Sequence, residues 1–369
     1  MMTTNNAPAA VQDNEQTRSK TMSETVDQEL AVPQSVLITG GTGSFGHRMV
    51  RHLLDRGCER IHVLSRDEAK QDQMRHELGD RRVRYFLGDV RDLDSIRAAV
   101  QNISHVFHAA ALKQVPSAEF FPMQAVKTNV NGSENVIKAA EAAGVESVVC
   151  LSTDKAVYPV NAMGMTKALM EKVAQAHGLE NPQANAVVAC VRYGNVLYSR
   201  GSVVPLFINQ LKADRPITVT DPDMTRFMMS LDQSVDLVQY ALTNAEQGDL
   251  FIRKVPSCTI GNLAKAVCEI FQREPEINII GTRHGEKQSE QLATREELAR
   301  AVDHGSYFRV TADKRQLDYT PFYEEGSRTV SAYEDYDSHT ARHMTIEETK
   351  ELLLDLPEVQ TELRAWGLA

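Results

Sequence analysis

The sequence predicts an α/β fold built on a doubly wound parallel sheet, followed by a smaller C-terminal α/β region. Three observations carry that expectation. A strand-like run ends in a glycine-rich turn and passes directly into a helical pattern, "SVLITGGTGSFGHRMVRHLLDRG" from Ser35 to Gly57. Strand-like and helix-like segments then alternate to about residue 200, the pattern of a parallel sheet with helices on both faces. Beyond that point the alternation breaks into short mixed pieces.

In chain order, residues 1–33 are polar and acidic, without a continuous apolar run, and read as a disordered extension without a signal peptide or anchor. Residues 34–200 form the sheet domain, to which later segments return. After the first strand, turn and helix, the strand-like run "RIHVLSRD" completes a strand–helix–strand unit of about thirty residues. "VRYFLGDV", "HVFHAAA", "VESVVCLST" and "NAVVACVRYGNV" continue the strands, with helical patterns such as "MQAVKTNVNGSENVIKAAEAAG" between them. This is the Rossmann arrangement. Residues 201–320 mix short strands and helices. Residues 321–369 make an acidic tail ending in an amphipathic helix, "TIEETKELLLDLPEVQTELRAW". Thr345 and Glu348 have capping-box spacing at its start, and Leu352, Leu353, Leu356 and Val359 form one apolar side, suited to packing on the body or on a sister subunit.

Charge is unevenly spread along the 369 residues. Residues 1–33 hold 2 basic and 5 acidic side chains and residues 321–369 hold 4 and 11, so a net charge of -10 resides at the ends around a neutral body. Such a body argues against a nucleic-acid surface while leaving room for a local anion pocket. No apolar run approaches the ~18 residues of a membrane span. Cys58, Cys150, Cys190, Cys258 and Cys268 lack metal-ligand or redox spacing and read as reduced, packed thiols of a cytoplasmic protein.

The glycine turn points to a dinucleotide. Gly40, Gly43 and Gly46 stand three apart between a strand and a helix, where a side chain would obstruct a pyrophosphate approaching the helix N-terminus. Thr42, Ser44 and Phe45 complete that turn. The second strand runs into Ser65, Arg66 and Asp67, with Lys70 one turn beyond. Arg66, Ser65 and Lys70 favour the 2'-phosphate of NADP, while Asp67 leaves NAD open. Asp89, next to Val90 at the third strand's end, is placed to accept from the adenine amine. Ala109 and Ala110 end the fourth strand and let a cofactor lie close to the backbone. His108 reads as a satisfied interior histidine.

Together with "ALKQVPSAE", "TNVNGSENV", "STDKAVYP", "RYGNV", "MTRF" and "HGEK", these motifs resemble the extended short-chain dehydrogenases that act on UDP-sugars. Within that superfamily the chain is most similar to the soluble UDP-N-acetylglucosamine 4,6-dehydratases, in the capsular branch that inverts carbon 5 on the route to N-acetyl-L-fucosamine. The resemblance implies Lys113, Asn129, Lys167 and Tyr193 at the cofactor. It implies Lys113, Asn195, Ser199, Arg200, Arg226, Arg283 and Glu286 around the UDP moiety, in the C-terminal α/β substrate-binding region. It also implies Thr153, Asp154, Lys155 and Lys167 at the reacting sugar, and a homo-oligomer, with a hexamer among its forms.

One position departs from the wider superfamily, where a tyrosine stands four residues before the lysine; here it is Met163, which carries no exchangeable proton. The implied reaction oxidises carbon 4, eliminates water across carbons 5 and 6, and returns the hydride to carbon 6. It needs at least two proton-transfer groups besides the nicotinamide. Asp154 and Lys155 meet that need in type. Lys155, its pKa depressed by Lys167, the bound nicotinamide and an apolar wall including Met163, is expected to be the carbon-5 base, with Asp154 its acid partner and Lys113 and Tyr158 in reserve. A UDP-hexose 4-epimerase, or an NADP-binding scaffold without catalysis, are the alternatives.

Overall fold

Ser35–Thr39 is buried at every position. A strand covered on both faces belongs inside a parallel sheet. The computed structural model describes residues 32–181, 183–199, 201–312 and 333–368. The expected N-terminal extension thus lies, up to residue 31, outside the described residues, as do Arg200 and residues 313–332.

Ser35–Thr39 is β1 of a sheet that has nine strands among the described residues. The others are β2 (Arg60–Ser65), β3 (Val83–Leu87), β4 (His105–His108), β5 (Ser147–Leu151), β6 (Val187–Arg192), β7 (Leu250–Arg253), β8 (Ala301–Asp303) and β9 (Tyr307–Val310). Their spatial order is β8-β9-β7-β6-β5-β4-β1-β2-β3. Strands β1 to β7 pair in parallel, while β9 is antiparallel to β7 and β8 to β9. The expected doubly wound Rossmann sheet is therefore present, and its order reverses between β1 and β4. At such a switch point the helices leave opposite faces and open a crevice at the carboxyl ends of the strands.

Successive strand residues face opposite sides of the sheet. Leu37, Val106, Val148 and Val188 join the core on one face, and Val36, Ile38, Phe107 and Val149 the core on the other. The helix Ala162–Glu180 is fastened to the sheet by a buried ion cluster: Arg192 at the end of β6 pairs with Glu171 at 2.6 Å and Glu297 at 2.8 Å. One partner on each side of the guanidinium spreads the charge that burial would otherwise leave uncompensated. All five cysteines are buried and form no disulfide. Among the described residues no helix is long and apolar enough to cross a membrane.

After β6 the chain forms a third core, around Phe207, Ile217, Met228, Leu263 and Phe271. Asn195–Val196, Thr225–Met229 and Ser257–Thr259 make a small sheet there. The chain's end differs from the expected single helix. The capping box at Thr345 and Glu348 forms as spaced, but the helix Ile346–Leu354 stops and a second one, Pro357–Trp366, begins with proline at its first position. Pro357 lacks the amide hydrogen that a continuous helix would need there. Leu353, Leu356, Val359 and Leu363 are buried in the third core of the same chain.

Candidate active site

The glycine turn at the switch point is built by backbone sterics. Gly40 has φ +67°, and a Cβ on it would lie 2.9 Å from the Ala110 backbone. Only glycine adopts that conformation in that space. A Cβ on Gly46 would lie 2.4 Å from the Cα of Gly41, so the helix Ser44–Asp55 can dock this closely only with glycine there. Gly43 is the N-cap residue, without a side-chain cap, and the first turn carries no acidic residue. A helix N-terminus with an uncompensated dipole fits a pyrophosphate. Thr42 ties the turn to β2 through Ser65, oxygen to oxygen at 2.8 Å. Phe45 turns inward against the core.

At the end of β2, Asp67 caps the helix Glu68–Leu78, accepting from the Lys70 amide and pairing with the Lys70 ammonium. Its carboxylate is engaged by its own helix. Arg66 is half-exposed and stands 3.5 Å from Asp89. Asp89 also pairs with Arg91 at 2.6 Å. Burial pushes its carboxyl up, but the Arg91 hydrogen bonds outweigh this and hold it below the usual carboxylate range. Ser44, Ser65, Val90, Ala109, Ala110 and Lys113 share the wall of a cleft of about 1750 Å³ here, closed on one side by Leu356 and Glu358 from the end of the chain. His108 is buried between Thr39 Oγ1 at 2.7 Å and Ser133 Oγ at 2.8 Å; burial and Lys167 push its pKa down to about 3, so it is a neutral interior histidine. Asn129, within a π-helical turn Val126–Asn131, spends its amide on both backbone groups of Leu112 and on Thr166, and so holds the segment leading to Lys113.

The groups expected to react, Thr153, Asp154 and Lys155, lie further along the same sheet edge, outside the wall of that cleft. Beyond β5, Thr153 caps the short 3-10 turn Asp154–Ala156. Thr153 Oγ1 donates to Asp154 Oδ1 at 2.7 Å, and Lys155 Nζ donates to the same oxygen at 3.0 Å. Asp154 is fully buried, and its Oδ2 has no hydrogen-bond partner among the described residues. The turn is held from the other side by Gly164, on which a Cβ would lie 2.1 Å from the Lys155 carbonyl oxygen. Met163 is buried with Ala118 and Ala125 in a small apolar cluster. Lys167 is buried, with Nζ 3.1 Å from Met170 Sδ, and burial pushes its pKa down. Tyr193 is raised by burial and by the Asp154 charge.

Two expectations need correction. Lys155 is not depressed: desolvation does push it down, but the carboxylates of Asp154 and Glu290 outweigh that and hold the ammonium form. Glu290 is the residue that sequence reasoning missed, 3.5 Å from Lys155 Nζ and 3 % exposed. Arg226, expected on the diphosphate, is instead buried and spends its fork on the carbonyls of Thr225, Lys287 and Gln288, bracing the loop that carries Glu290. Tyr158, in the left-handed region at φ 42°, directs its hydroxyl to Asp335.

The substrate-side residues are only partly gathered. Asn195 has an unpartnered Oδ1 among the described residues. Ser199 lies in the following turn and Arg200 outside the described residues. Arg283 and Glu286 close one loop, side chains 3.8 Å apart, with the Arg283 amide donating to Glu286. Asn161, which also caps the helix Ala162–Glu180, anchors that loop by donating to the Gly285 carbonyl at 3.0 Å.

Fold and site define an enzyme of the nucleotide-sugar epimerase/dehydratase class of extended short-chain dehydrogenases. A family described as "Polysaccharide biosynthesis protein" matches residues 36–312, and one described as "Polysaccharide biosynthesis protein C-terminal" matches residues 313–360. The chain belongs to this polysaccharide biosynthesis protein family. A protein of Rickettsia felis named UDP-glucose 4-epimerase is 51% identical over 337 residues, 90% of this chain and 99% of that one. The X-ray structure of Pen from Bacillus thuringiensis is 35% identical with a TM-score of 0.79, covering 88% of this chain and 99% of that one. The dTDP-glucose 4,6-dehydratase DesIV of Streptomyces venezuelae, solved with NAD, shares the fold at 22% identity and a TM-score of 0.61, over 69% of this chain and 86% of that one.

Proposed function

We propose that this chain is an NADP-dependent UDP-N-acetylglucosamine 4,6-dehydratase that inverts carbon 5, in the supply of N-acetyl-L-fucosamine for surface or capsular polysaccharide. The observation that carries this reading is the cluster of Asp154, Lys155 and Glu290 at the end of β5, next to a helix turn whose Met163 cannot exchange a proton. An epimerase has to move only the carbon-4 hydroxyl proton, whereas a dehydratase moves protons at carbons 4, 5 and 6. Several buried acid–base groups suit the larger task.

The bound nicotinamide supplies hydride acceptance from carbon 4 and hydride return to carbon 6. In the resting arrangement Asp154 Oδ2 has no hydrogen-bond partner among the described residues and Lys155 is an ammonium donor, so Lys155 has to lose a proton before it can serve as the carbon-5 base. Thr153 orients Asp154 by its hydrogen bond, and Lys167, deprived of water, lies buried on the helix behind it. NADP is favoured over NAD because Asp67 is committed to capping its own helix while Arg66 remains half-exposed at the end of β2.

The name of the Rickettsia felis relative favours a UDP-hexose 4-epimerase as the second reading. Incubation with UDP-N-acetylglucosamine in heavy water, followed by mass spectrometry, separates the two. A dehydratase loses water and takes up deuterium, and replacing Lys155 by alanine abolishes both. Formation of UDP-N-acetylgalactosamine alone would end the dehydratase reading, and tight NADP binding without turnover would leave a scaffold. Assembly as a homo-oligomer belongs to the same proposal and is read by light scattering.

A further inference from the structure

Glu290 is a buried carboxylate that the reaction as described leaves without a task. It sits on the loop after Lys287, far in sequence from Asp154 and Lys155, yet its Oε1 is 3.5 Å from Lys155 Nζ. Its Oε2 has no hydrogen-bond partner among the described residues; Lys287 Nζ stands 3.8 Å away and Arg226 Nε 4.0 Å from the other oxygen. An unsatisfied carboxylate oxygen in this setting is costly, so it is retained only where the surrounding fold insists on it.

The fold does insist. The Glu290 amide donates to Ser338 Oγ at 2.9 Å, and the Ser338 amide donates to the Glu290 carbonyl at 2.9 Å. Ser338 is itself fully buried and bonded to Thr225, the neighbour of Arg226. Gln291–Ala293 continues as a strand paired with Tyr336–Asp337. The Glu290 backbone is therefore held at both its amide and its carbonyl by Ser338, with its side chain brought to Lys155.

We infer that Glu290 is a positioning residue that acts through Lys155, taking one ammonium proton and so converting Lys155 into the neutral amine that removes the carbon-5 hydrogen. The inference rests on the dehydratase reading. In the exchange one N–H bond of Lys155 breaks, its electron pair stays on nitrogen, and an O–H bond forms on Glu290. Ammonium and carboxylate become amine and carboxylic acid, and no charge leaves the cluster. The amine then takes the carbon-5 proton, restoring its third N–H bond, while the C–H electron pair moves toward the carbon-4 ketone.

The charges facing Glu290 pull its carboxyl in both directions. Asp154 repels its charge, Lys155, Arg226 and Lys287 attract it, and Asp337 acts on Lys287 from the adjoining strand. Burial is the largest influence, and it lifts the carboxyl above the ordinary glutamate value. The carboxylate that helps hold the ammonium by its charge is thus also the acceptor when the proton moves: the base form of Lys155 requires one nearby, and Glu290 stands 3.5 Å from its Nζ.

The test uses the full-length enzyme and UDP-N-acetylglucosamine in heavy water, with carbon-5 deuterium uptake followed across pH. In Glu290→Gln, which keeps the size and the Ser338 clamp, Lys155 must lose its proton to solvent. The uptake rate should fall about 100-fold at neutral pH and recover about tenfold per pH unit on raising pH, with KM unchanged. Glu290→Asp, retaining a carboxylate, should keep the wild-type pH profile at a reduced rate, and it serves as the probe if the glutamine variant does not fold. A wild-type pH profile in Glu290→Gln, or a new pH dependence in Glu290→Asp, would overturn the inference while water loss by the wild type leaves the dehydratase reading intact. A wild type that neither loses water nor takes up deuterium defeats the reading itself.

Discussion

Two stretches of the sheet's carboxyl edge, at β1 and β2 and at β5, are built on different principles. At β1 and β2 the site is an open cleft shaped by backbone, and every group in the glycine turn comes from seven consecutive residues, Gly40 to Gly46. At β5 the site is mostly buried and made of charges, assembled from residues 153–155, 226, 287–290 and 338. The first end has to accept a large preformed anion, so it offers amide hydrogens and absence of side chains. On the proposed function the second moves protons, and its burial withholds water and sets acids against bases. One chain thus separates holding from reacting by placing them on different strands.

The largest way to break that separation is to put a side chain where the open end tolerates none. Gly46→Ala places a Cβ against the Gly41 backbone, and NADPH fluorescence titration should show affinity reduced by more than about 100-fold, close to 2.7 kcal/mol. The corresponding change at the buried end is Gly164→Ala, whose Cβ would strike the Lys155 carbonyl. It should lower kcat about 30-fold by displacing the Asp154–Lys155 turn, with cofactor affinity unchanged in the same titration. Equal losses of binding in both variants would show that the two ends are not separable.

A smaller effect lies between the ends, at His108. Its folded pKa of about 3 lies below the ordinary 6.5, so the unfolded chain takes up the proton first. The stability this neutral histidine contributes is full above pH 6.5 and is lost as pH falls toward 3, at up to about 1.4 kcal/mol per pH unit. Urea denaturation below pH 6.5 should show a shallower pH dependence in His108→Gln than in the wild type. The smallest effect is at half-exposed Arg66: Arg66→Ser should weaken NADP about tenfold and leave NAD unchanged in parallel titrations.

The same contrast governs what could be seen in the sequence. The sheet, the turn and the β2 end were legible because each is set by neighbours in the chain: an apolar run, glycines at fixed spacing, a strand that must stop. Asp154 and Lys155 were legible as a motif, but the sign of the Lys155 shift was not, since it is set by the folding of Asp154 Oδ1 onto Lys155 Nζ and, next, by Glu290, 135 positions later. In "HGEKQSEQL" nothing distinguishes that glutamate from a solvated one. Arg226 misled for a related reason: an arginine fork suits a phosphate and a row of backbone carbonyls equally well, and only packing decides. Pro357 was visible in the sequence and should have divided the terminal helix, yet the apolar periodicity runs through it.

The clamp on Glu290 also sets an order of construction. During synthesis the strands that cradle a dinucleotide leave the ribosome first, and N-terminal elements begin to fold as they emerge. Ser338, which fixes the backbone of Glu290, follows 48 residues after it. A nascent molecule halted before that serine would carry Asp154 and Lys155 without the support that brings Glu290 to them.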